Sequence, residues 1–232
     1  DISALVSPKS SAGRINLWVR TMVDGLSRFD QMPAGYHGPS YAMVTPKSWP
    51  VRVAAGDSLT QLRLFRGIVD HLQTRELDLL QRTEGLIFDP EGNRIEGRDS
   101  SLRDGVLLTA NLDNDIVAYQ AKHSIELLDL RKIGGHHRDD FFIPIHRSEN
   151  LELVLKEGEF YILPSYEHVK VPLDYAAEMI AYDIAAGEFR SHYAGFFDPG
   201  WGCDGEAKGT PIVLEILPHE NVILRHRQPV CK

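Results

Sequence analysis

The chain has 232 residues, 43% hydrophobic and 25% charged, with a formal net charge of −8 at pH 7. That length allows one large domain or two modest ones. The acidic balance argues against a nucleic acid polymer as partner, because such binding needs a broad basic face, and no apolar run is long enough to cross a bilayer.

Short apolar runs separated by Gly, Pro and Ser predict closely spaced β-strands in the first part of the chain. These runs cover residues 15–19, 41–44 and 62–65. From residue 67 the apolar period changes to 3.6, which places on one helical face Ile68, Val69, Leu72, Leu79 and Leu80. We therefore expect a linker helix within 67–83.

A second β-rich unit is predicted over 84–232, after the helix. The Asp-Pro-Glu-Gly-Asn sequence at 89–93 has the chemistry of a hairpin turn. Strand-like runs then recur at 106–109, 124–128, 141–145, 160–163, 169–171 and 212–215. Many short strands with turns between them predict an all-β fold, either a barrel or a sandwich.

A weak internal similarity relates the two halves of the chain. Residues 1–4 resemble 174–177, the Phe-Asp pair at 29–30 recurs at 197–198, and Pro46 has a counterpart in Pro218. Two copies of one fold explain this economically. Chance similarity between β-rich segments is the alternative.

Two hydroxyls and two cations are concentrated in a segment of small residues near the start of the chain, namely Lys9, Ser10, Ser11 and Arg14. Hydroxyl and amide groups donate hydrogen bonds to phosphate oxygens, and Lys and Arg supply charge. The segment is therefore a candidate phosphate site. A serine-rich surface loop with incidental cations is the alternative.

A single carboxylate, Glu215, interrupts the apolar strand predicted at 212–216. Strict alternation would allow it to point to solvent. A carboxylate beside a pocket would instead be suited to act as a general base. The sequence alone leaves both interpretations open.

Metal chemistry has little support in the sequence. The Gly-Gly-His-His-Arg-Asp-Asp run at 134–140 offers ligand types, but adjacent side chains rarely converge on one ion, so a polar loop is expected. Cys203 and Cys231 are the only cysteines. They are too few for a zinc deaminase or a disulfide framework, and they indicate a reducing, cytoplasmic location.

Three elements together resemble the dCTP deaminase family. Residues 9–14 are similar to its Arg-Ser-Ser-x-x-Arg element, 197–201 to Ile-Asp-Pro-Gly-Trp, and 212–215 to Val-Leu-Glu. The resemblance implies a dUTPase-like distorted antiparallel barrel that forms trimers with active sites where copies meet. It also implies zinc-independent deamination of dCTP to dUTP and ammonia, which feeds dUMP and dTTP synthesis.

The same resemblance assigns roles to individual residues. Glu215 would be the general base and acid, Ser10 would help to orient the water, and Arg14 would hold the carboxylate. Expected substrate contacts are Lys9 and Ser11 for the phosphates, with Ala194, Asp198, Val213 and Leu214 for sugar and base. Mg²⁺ is expected on the triphosphate, without zinc.

The chain departs from the family pattern in dividing these elements between two predicted copies. The copy over 1–66 keeps the serine and arginine but has Met43 opposite Glu215, whereas the second copy has lost the serine element at 183–187. We expect a composite site and a homo-oligomer. Compared with the family, the sequence also looks truncated at both ends.

Two other functions stay open at this point. The same superfamily includes dUTP pyrophosphatases, so cleavage of dUTP, alone or together with deamination, is the first alternative. A protein that binds a nucleotide without turning it over is the second alternative, from a different class.

Overall fold

The computed structural model of the protein describes residues 2–67, 70–96, 102, 105–180, 189–191, 195–204 and 208–232, with the backbone alone for 189–191. The chain forms two compact units. One comprises Asp1–Asp70 and Ala121–Ile143, and the other comprises His71–Gln120 and Pro144–Lys232. The sequence predicts something different, a first copy of a fold at 1–66, a linker helix at 67–83 and a second copy at 84–232. That division stays a prediction.

Short strands dominate both units, as the spacing of the apolar runs predicts. Those up to residue 129 are β1 (Ile2–Pro8), β2 (Leu17–Val23), β3 (Gln31–Met32), β4 (Ser40–Pro46), β5 (Val51–Arg52), β6 (Thr60–Arg66), β7 (Ile87–Phe88), β8 (Leu108–Thr109), β9 (Ile116–Ala121) and β10 (Leu128–Asp129). The later strands are β11 (Phe142–His146), β12 (Glu152–Leu155), β13 (Tyr161–Val169), β14 (Ala177–Glu178), β15 (Phe189–Ser191), β16 (Phe196–Phe197), β17 (Thr210–Pro218), β18 (Val222–Arg225) and β19 (Pro229–Cys231). The helices are α1 (Ser10–Gly13), α2 (Thr74–Thr83) and α3 (Arg138–Phe141).

The first unit contains three small sheets. β1 lies between β3 and β6 in an antiparallel sheet, β2 pairs antiparallel with β4, and β5 pairs parallel with β10. A small core forms where Ala12 of α1 packs with Leu17 and Val19 of β2, all at most 4% exposed. Residues just before and within α1 are therefore tied to the core of this unit.

The second unit is built on a larger sheet. Its strands follow the order β11, β9, β13, β17 and β15, with β7 added to one end of β13. The core is aliphatic and includes Leu155, Leu163, Leu214, Ile216 and Leu224, none more than 2% exposed. The all-β prediction is confirmed, and β13 and β17 are the long central strands of this sheet.

The linker helix differs in detail from its prediction. Helix α2 begins at Thr74 rather than near 67, because Gln73 and Glu76 form a capping box that fixes its first turn. Leu79, assigned to the buried face, is 61% exposed, while Leu77 and Gln81 are buried. Gln81 is buried because its side chain hydrogen-bonds the backbone of Leu86 and Ile87. Ile68 and Val69 lie outside the described residues.

Two strand predictions also need correction. Residues 122–127 are irregular, and of the predicted 124–128 strand only Leu128 pairs, as the first residue of β10, which lies beside β5. Residues 161–163 and Val169, from two separately predicted runs, belong to one strand, β13, because the chain continues through Pro164 by way of a bulge.

Among the described residues, no helix has the length and apolar character to span a membrane.

Candidate functional site

Glu215 is buried on the side of β17 that faces away from the core. Its neighbours Leu214 and Ile216 are 0% exposed and belong to the core, so alternation along the strand turns Glu215 to the opposite face. On that face it lies across from Ile162 of β13. Glu215 is nevertheless only 2% exposed. The interpretation of Glu215 as a solvent-facing residue of an alternating strand is therefore wrong.

The other two predicted residues of this strand point in different directions. Val213 is half-buried on the same face as Glu215, whereas the side chain of Leu214 is in the core. A nucleotide on the Glu215 face would thus meet the Val213 side chain but only the backbone of Leu214. A buried carboxylate on this face is suited to proton transfer.

The serine and arginine element forms one tight helical turn in the first unit. The N–H groups of Ala12 and Gly13 donate to the Lys9 carbonyl at 2.8 and 3.1 Å, and the N–H of Arg14 donates to Ser10 at 3.0 Å. Ala12 and Gly13 are buried, which leaves the exposed side of the turn to Ser10, Ser11 and Arg14. The turn therefore presents two hydroxyls and a guanidinium outward, with half-buried Lys9 at its start.

Asn16 fixes the chain directly after this turn. Its backbone is left-handed, at φ 52°, and it is 2% exposed. Its amide group donates to Ser48 Oγ at 3.0 Å and accepts from the Trp18 indole N–H at 3.2 Å. Asn tolerates this conformation better than most residues. These bonds hold the exit of the turn that carries Ser10, Ser11 and Arg14.

Asp198 lies in a turn at the end of β16, in the second unit. Its carbonyl accepts from the Trp201 N–H at 3.0 Å, and Gly200 sits at φ 86° and donates to Val171 at 3.0 Å. The rings of Phe197 and Trp201 meet edge to face at 4.9 Å. The turn is thus well fixed, and the side chain of Asp198 is exposed.

The insertion after Trp201 is held closely against β13 at both ends. Gly202 and Gly209 have φ of 71° and 72°. A Cβ on Gly209 would lie 2.8 Å from the carbonyl carbon of His168, and one on Gly202 would overlap the carbonyl oxygen of Val169. Only glycine fits both positions.

Residues 183–187 and Ala194, for which the sequence made predictions, lie outside the described residues.

Asp30, which the predicted repeat pairs with Asp198, is already engaged within the first unit. Asp30 accepts from the Thr21 N–H at 2.7 Å and forms an ion pair with Arg20 Nε at 2.5 Å. Met43, which the predicted repeat pairs with Glu215, is 43% exposed. The two positions in the first unit thus supply a structural carboxylate and a thioether, neither of which suits acid–base chemistry.

The histidine-rich segment at 134–140 is a loop up to His137 and then enters α3, and its contacts are structural. The Asp129 N–H donates to His136 Nε2 at 3.1 Å, and the His136 ring packs edge-on to Phe141 at 5.5 Å. Within the described ranges no cluster of three or more His, Cys, Asp and Glu is arranged around a possible metal ion. Burial raises the pKa of Cys231 to about 12, which favours its thiol form.

Sequence reasoning missed a buried polar cluster on β13. Ser165 is 0% exposed and Glu167 is 2% exposed. The Glu167 carboxylate accepts from the Thr109 N–H at 2.7 Å and from Thr109 Oγ1 at 2.8 Å. Burial raises the pKa of Glu167, although these bonds oppose the shift. Alternation along β13 was the available signal, since it puts 165 and 167 on the core side with Leu163.

The residues named from the sequence therefore divide between the units. The first carries Lys9, Ser10, Ser11 and Arg14 on one turn, and the second carries Val213, Leu214 and Glu215 on one strand and Asp198 on another segment. The fold, with its central antiparallel strands, is that of the dUTPase-like class of all-β proteins.

Comparison with known proteins identifies the family within that class. Residues 1–68 match the model described as 2'-deoxycytidine 5'-triphosphate deaminase (DCD) N-terminal domain, and residues 73–232 match the one for the C-terminal domain. A crystal structure of 2'-deoxycytidine 5'-triphosphate deaminase from Agrobacterium tumefaciens superposes with a TM-score of 0.87 at 39% identity, covering 100% of this chain and 67% of that one. Curated protein sequences gave no match. The chain belongs to the 2'-deoxycytidine 5'-triphosphate deaminase family.

Proposed function

We propose that the chain catalyses hydrolytic deamination of dCTP to dUTP and ammonia. The observation that carries this proposal is Glu215, a carboxylate 2% exposed on the non-core face of a central strand. It is supported by membership of a family whose two domain models cover nearly the whole chain. No feature of the described residues favours a different reaction.

The chemistry needs one group that moves protons twice. A water oxygen bonds to C4 of cytosine while one of its protons passes by way of a base to ring N3. The hydroxyl formed at C4 then gives up its proton by way of the same base to the amino nitrogen, so the C4–N4 bond breaks, ammonia leaves and a C4 carbonyl remains. One carboxylate can act first as base and then as acid. We assign both steps to Glu215.

The serine and arginine turn is proposed to complete the site. Its exposed Ser10 hydroxyl would orient the attacking water, and Arg14 would hold the Glu215 carboxylate and offset developing charge. Lys9 and Ser11 would bind phosphate oxygens. We propose that Ala194, Asp198, Val213 and Leu214 contact sugar and base.

We further propose that the chain contains two diverged copies of one fold and that a site draws on both, within a chain or between neighbours. The engaged Asp30 and the exposed Met43 support this, because at those positions the first copy offers only an ion-paired carboxylate and a thioether. An oligomer is supported by Ile2, Leu62 and Leu64, which share one sheet face and are each about half exposed or more.

A product assay tests the proposed function. The protein is incubated separately with dCTP and with dUTP, and ammonia and pyrophosphate are measured. We expect ammonia from dCTP with equimolar dUTP, and no pyrophosphate from dUTP. Pyrophosphate from dUTP would instead indicate a pyrophosphatase, or a bifunctional enzyme if ammonia also forms. Tight binding of dCTP without either product would indicate a nucleotide-binding protein.

Metal dependence is expected to follow the substrate. Because the triphosphate is a polyanion and binds Mg²⁺ in solution, removal of Mg²⁺ should weaken the use of dCTP, seen as a rise in KM. A chelator selective for zinc should leave the rate unchanged, since we propose that no zinc activates the water. Stoichiometric zinc in the purified protein, lost together with activity, would contradict this proposal.

We also propose a cytoplasmic location, because free cysteines such as Cys203 and Cys231 are typical of a reducing compartment.

A further inference from the structure

The register between β13 and β17 changes part-way along the pair. From Tyr161 opposite Ile216 to Pro164 opposite Val213 the pairing is regular, and it resumes with His168 opposite Pro211. Three residues of β13, at 165–167, therefore face Ile212 alone. This is a bulge with two extra residues on β13.

The bulge determines where Glu215 lies along β13. If the register at His168 continued without interruption, Glu215 would lie opposite Pro164, whereas it lies opposite Ile162. Two residues of an extended strand correspond to about 7 Å. An even shift also keeps Glu215 on the non-core face, while a slip of one residue would turn it into the core.

One side chain connects the bulge to the strand that carries Glu215. The Ser165 hydroxyl donates to the carbonyl of Glu167 at 2.6 Å, across the bulge, and accepts from the N–H of Ile212 at 2.8 Å. Ser165 is 0% exposed, so solvent water cannot take over the hydrogen bonds of its hydroxyl. It satisfies the backbone groups that the bulge removes from the ladder.

The opposite edge of the bulge is fixed by Glu167. Its buried carboxylate accepts hydrogen bonds from both the N–H and the hydroxyl of Thr109, which belongs to β8. Ala110, next in the chain, also forms a bridge with Ser165. The bulge is therefore held from β17 on one side and from β8 on the other.

We propose that Ser165 is a positioning residue for deamination, which sets the register that brings Glu215 to its place, and that Glu167 and Thr109 anchor it. The inference rests on the proposed role of Glu215. Ser165 lies on the core face, opposite to Glu215, and acts on the reaction only through the strand.

A double-mutant cycle tests this proposal. Ser165→Ala removes the hydroxyl, so β17 loses its fixed point three residues before Glu215. We expect kcat for dCTP to fall by about 10- to 100-fold, because a misplacement near 1 Å can cost about 10²-fold, with KM changed less than about threefold. In a Glu215→Gln background the same change should lower the residual rate less than about threefold.

The control is Ser148→Ala, which removes another bridging hydroxyl of the second unit. Ser148 donates to the carbonyl of Glu152 at 2.8 Å and accepts from its N–H at 2.9 Å, on a different strand. Its kcat should match wild type. If Ser165→Ala lowers the rate by the same factor in both backgrounds, or leaves kcat unchanged in a folded protein, the positioning role is wrong.

A second variant covers the case in which Ser165→Ala does not fold. Thr109→Val keeps the shape of the side chain and the backbone bond to Glu167 but removes the bond from the hydroxyl. It should lower kcat by about 3- to 10-fold, again only when Glu215 is present. An equal loss in both backgrounds would overturn the proposal. Wild-type protein that releases no ammonia, or wild-type kcat in Glu215→Gln, would instead overturn the proposed function itself.

Discussion

Glu215→Gln is expected to abolish most deamination while dCTP still binds. Glutamine keeps the size of the side chain and its capacity for hydrogen bonds, but it cannot accept the proton of the attacking water. The rate should fall by at least the ~10²–10⁴ typical of general acid–base catalysis. Ammonia release under saturating dCTP measures kcat, and calorimetric titration measures the affinity.

The matched control for this prediction is Met43→Ala, at the position that the proposed repeat pairs with Glu215. Met43 is 43% exposed, so its truncation should cost little stability and leave kcat nearly unchanged. Wild-type turnover in Glu215→Gln combined with loss of turnover in Met43→Ala would show that the first unit, and not Glu215, carries the reaction.

Arg14→Ala is expected to lower both dCTP binding and turnover. Arg14 is exposed on the turn that presents Ser10 and Ser11, so its charge is available to a polyanionic substrate. If it also holds the Glu215 carboxylate, its loss affects the transition state as well as the ground state. We expect kcat/KM to fall by about 10²- to 10³-fold, as for removal of a charge-stabilising donor.

Steady-state kinetics with dCTP and a binding titration separate the two parts of this effect. Arg28→Ala removes one exposed cation from the same unit and is the control for net charge. It should change kcat/KM less than about twofold. Equal losses in Arg14→Ala and Arg28→Ala would mean that general electrostatic attraction, and no specific contact, explains the result.

The strand pattern could be read from the sequence because short apolar runs and turn residues report local structure. The limits of α2 could not, because its first turn depends on a capping box at Gln73 and Glu76. Its buried face was misassigned for a related reason. Gln81 is buried because its side chain hydrogen-bonds the backbone at 86–87, and Leu79 is exposed instead. The periodicity of apolar residues does not report such bonds.

Motifs and a family resemblance were enough to name candidate site residues from the sequence. The burial and the contacts of those residues could not be predicted in this way. Alternation in a strand is compatible with either a buried or an exposed Glu215, and only the fold gives its 2% exposure. Ser165 and Glu167 form no motif. Their importance depends on a shift in register, which is a relation between β13 and β17 that neither segment encodes alone.

A crystal structure of the Glu215→Gln variant with dCTP and Mg²⁺ tests the central claim most directly. This variant should hold the substrate without converting it. We predict that C4 of cytosine lies one water molecule away from the side chain at position 215 and that the phosphates contact Lys9 and Ser11. Cytosine bound away from position 215, or phosphates bound away from that turn, would contradict the account.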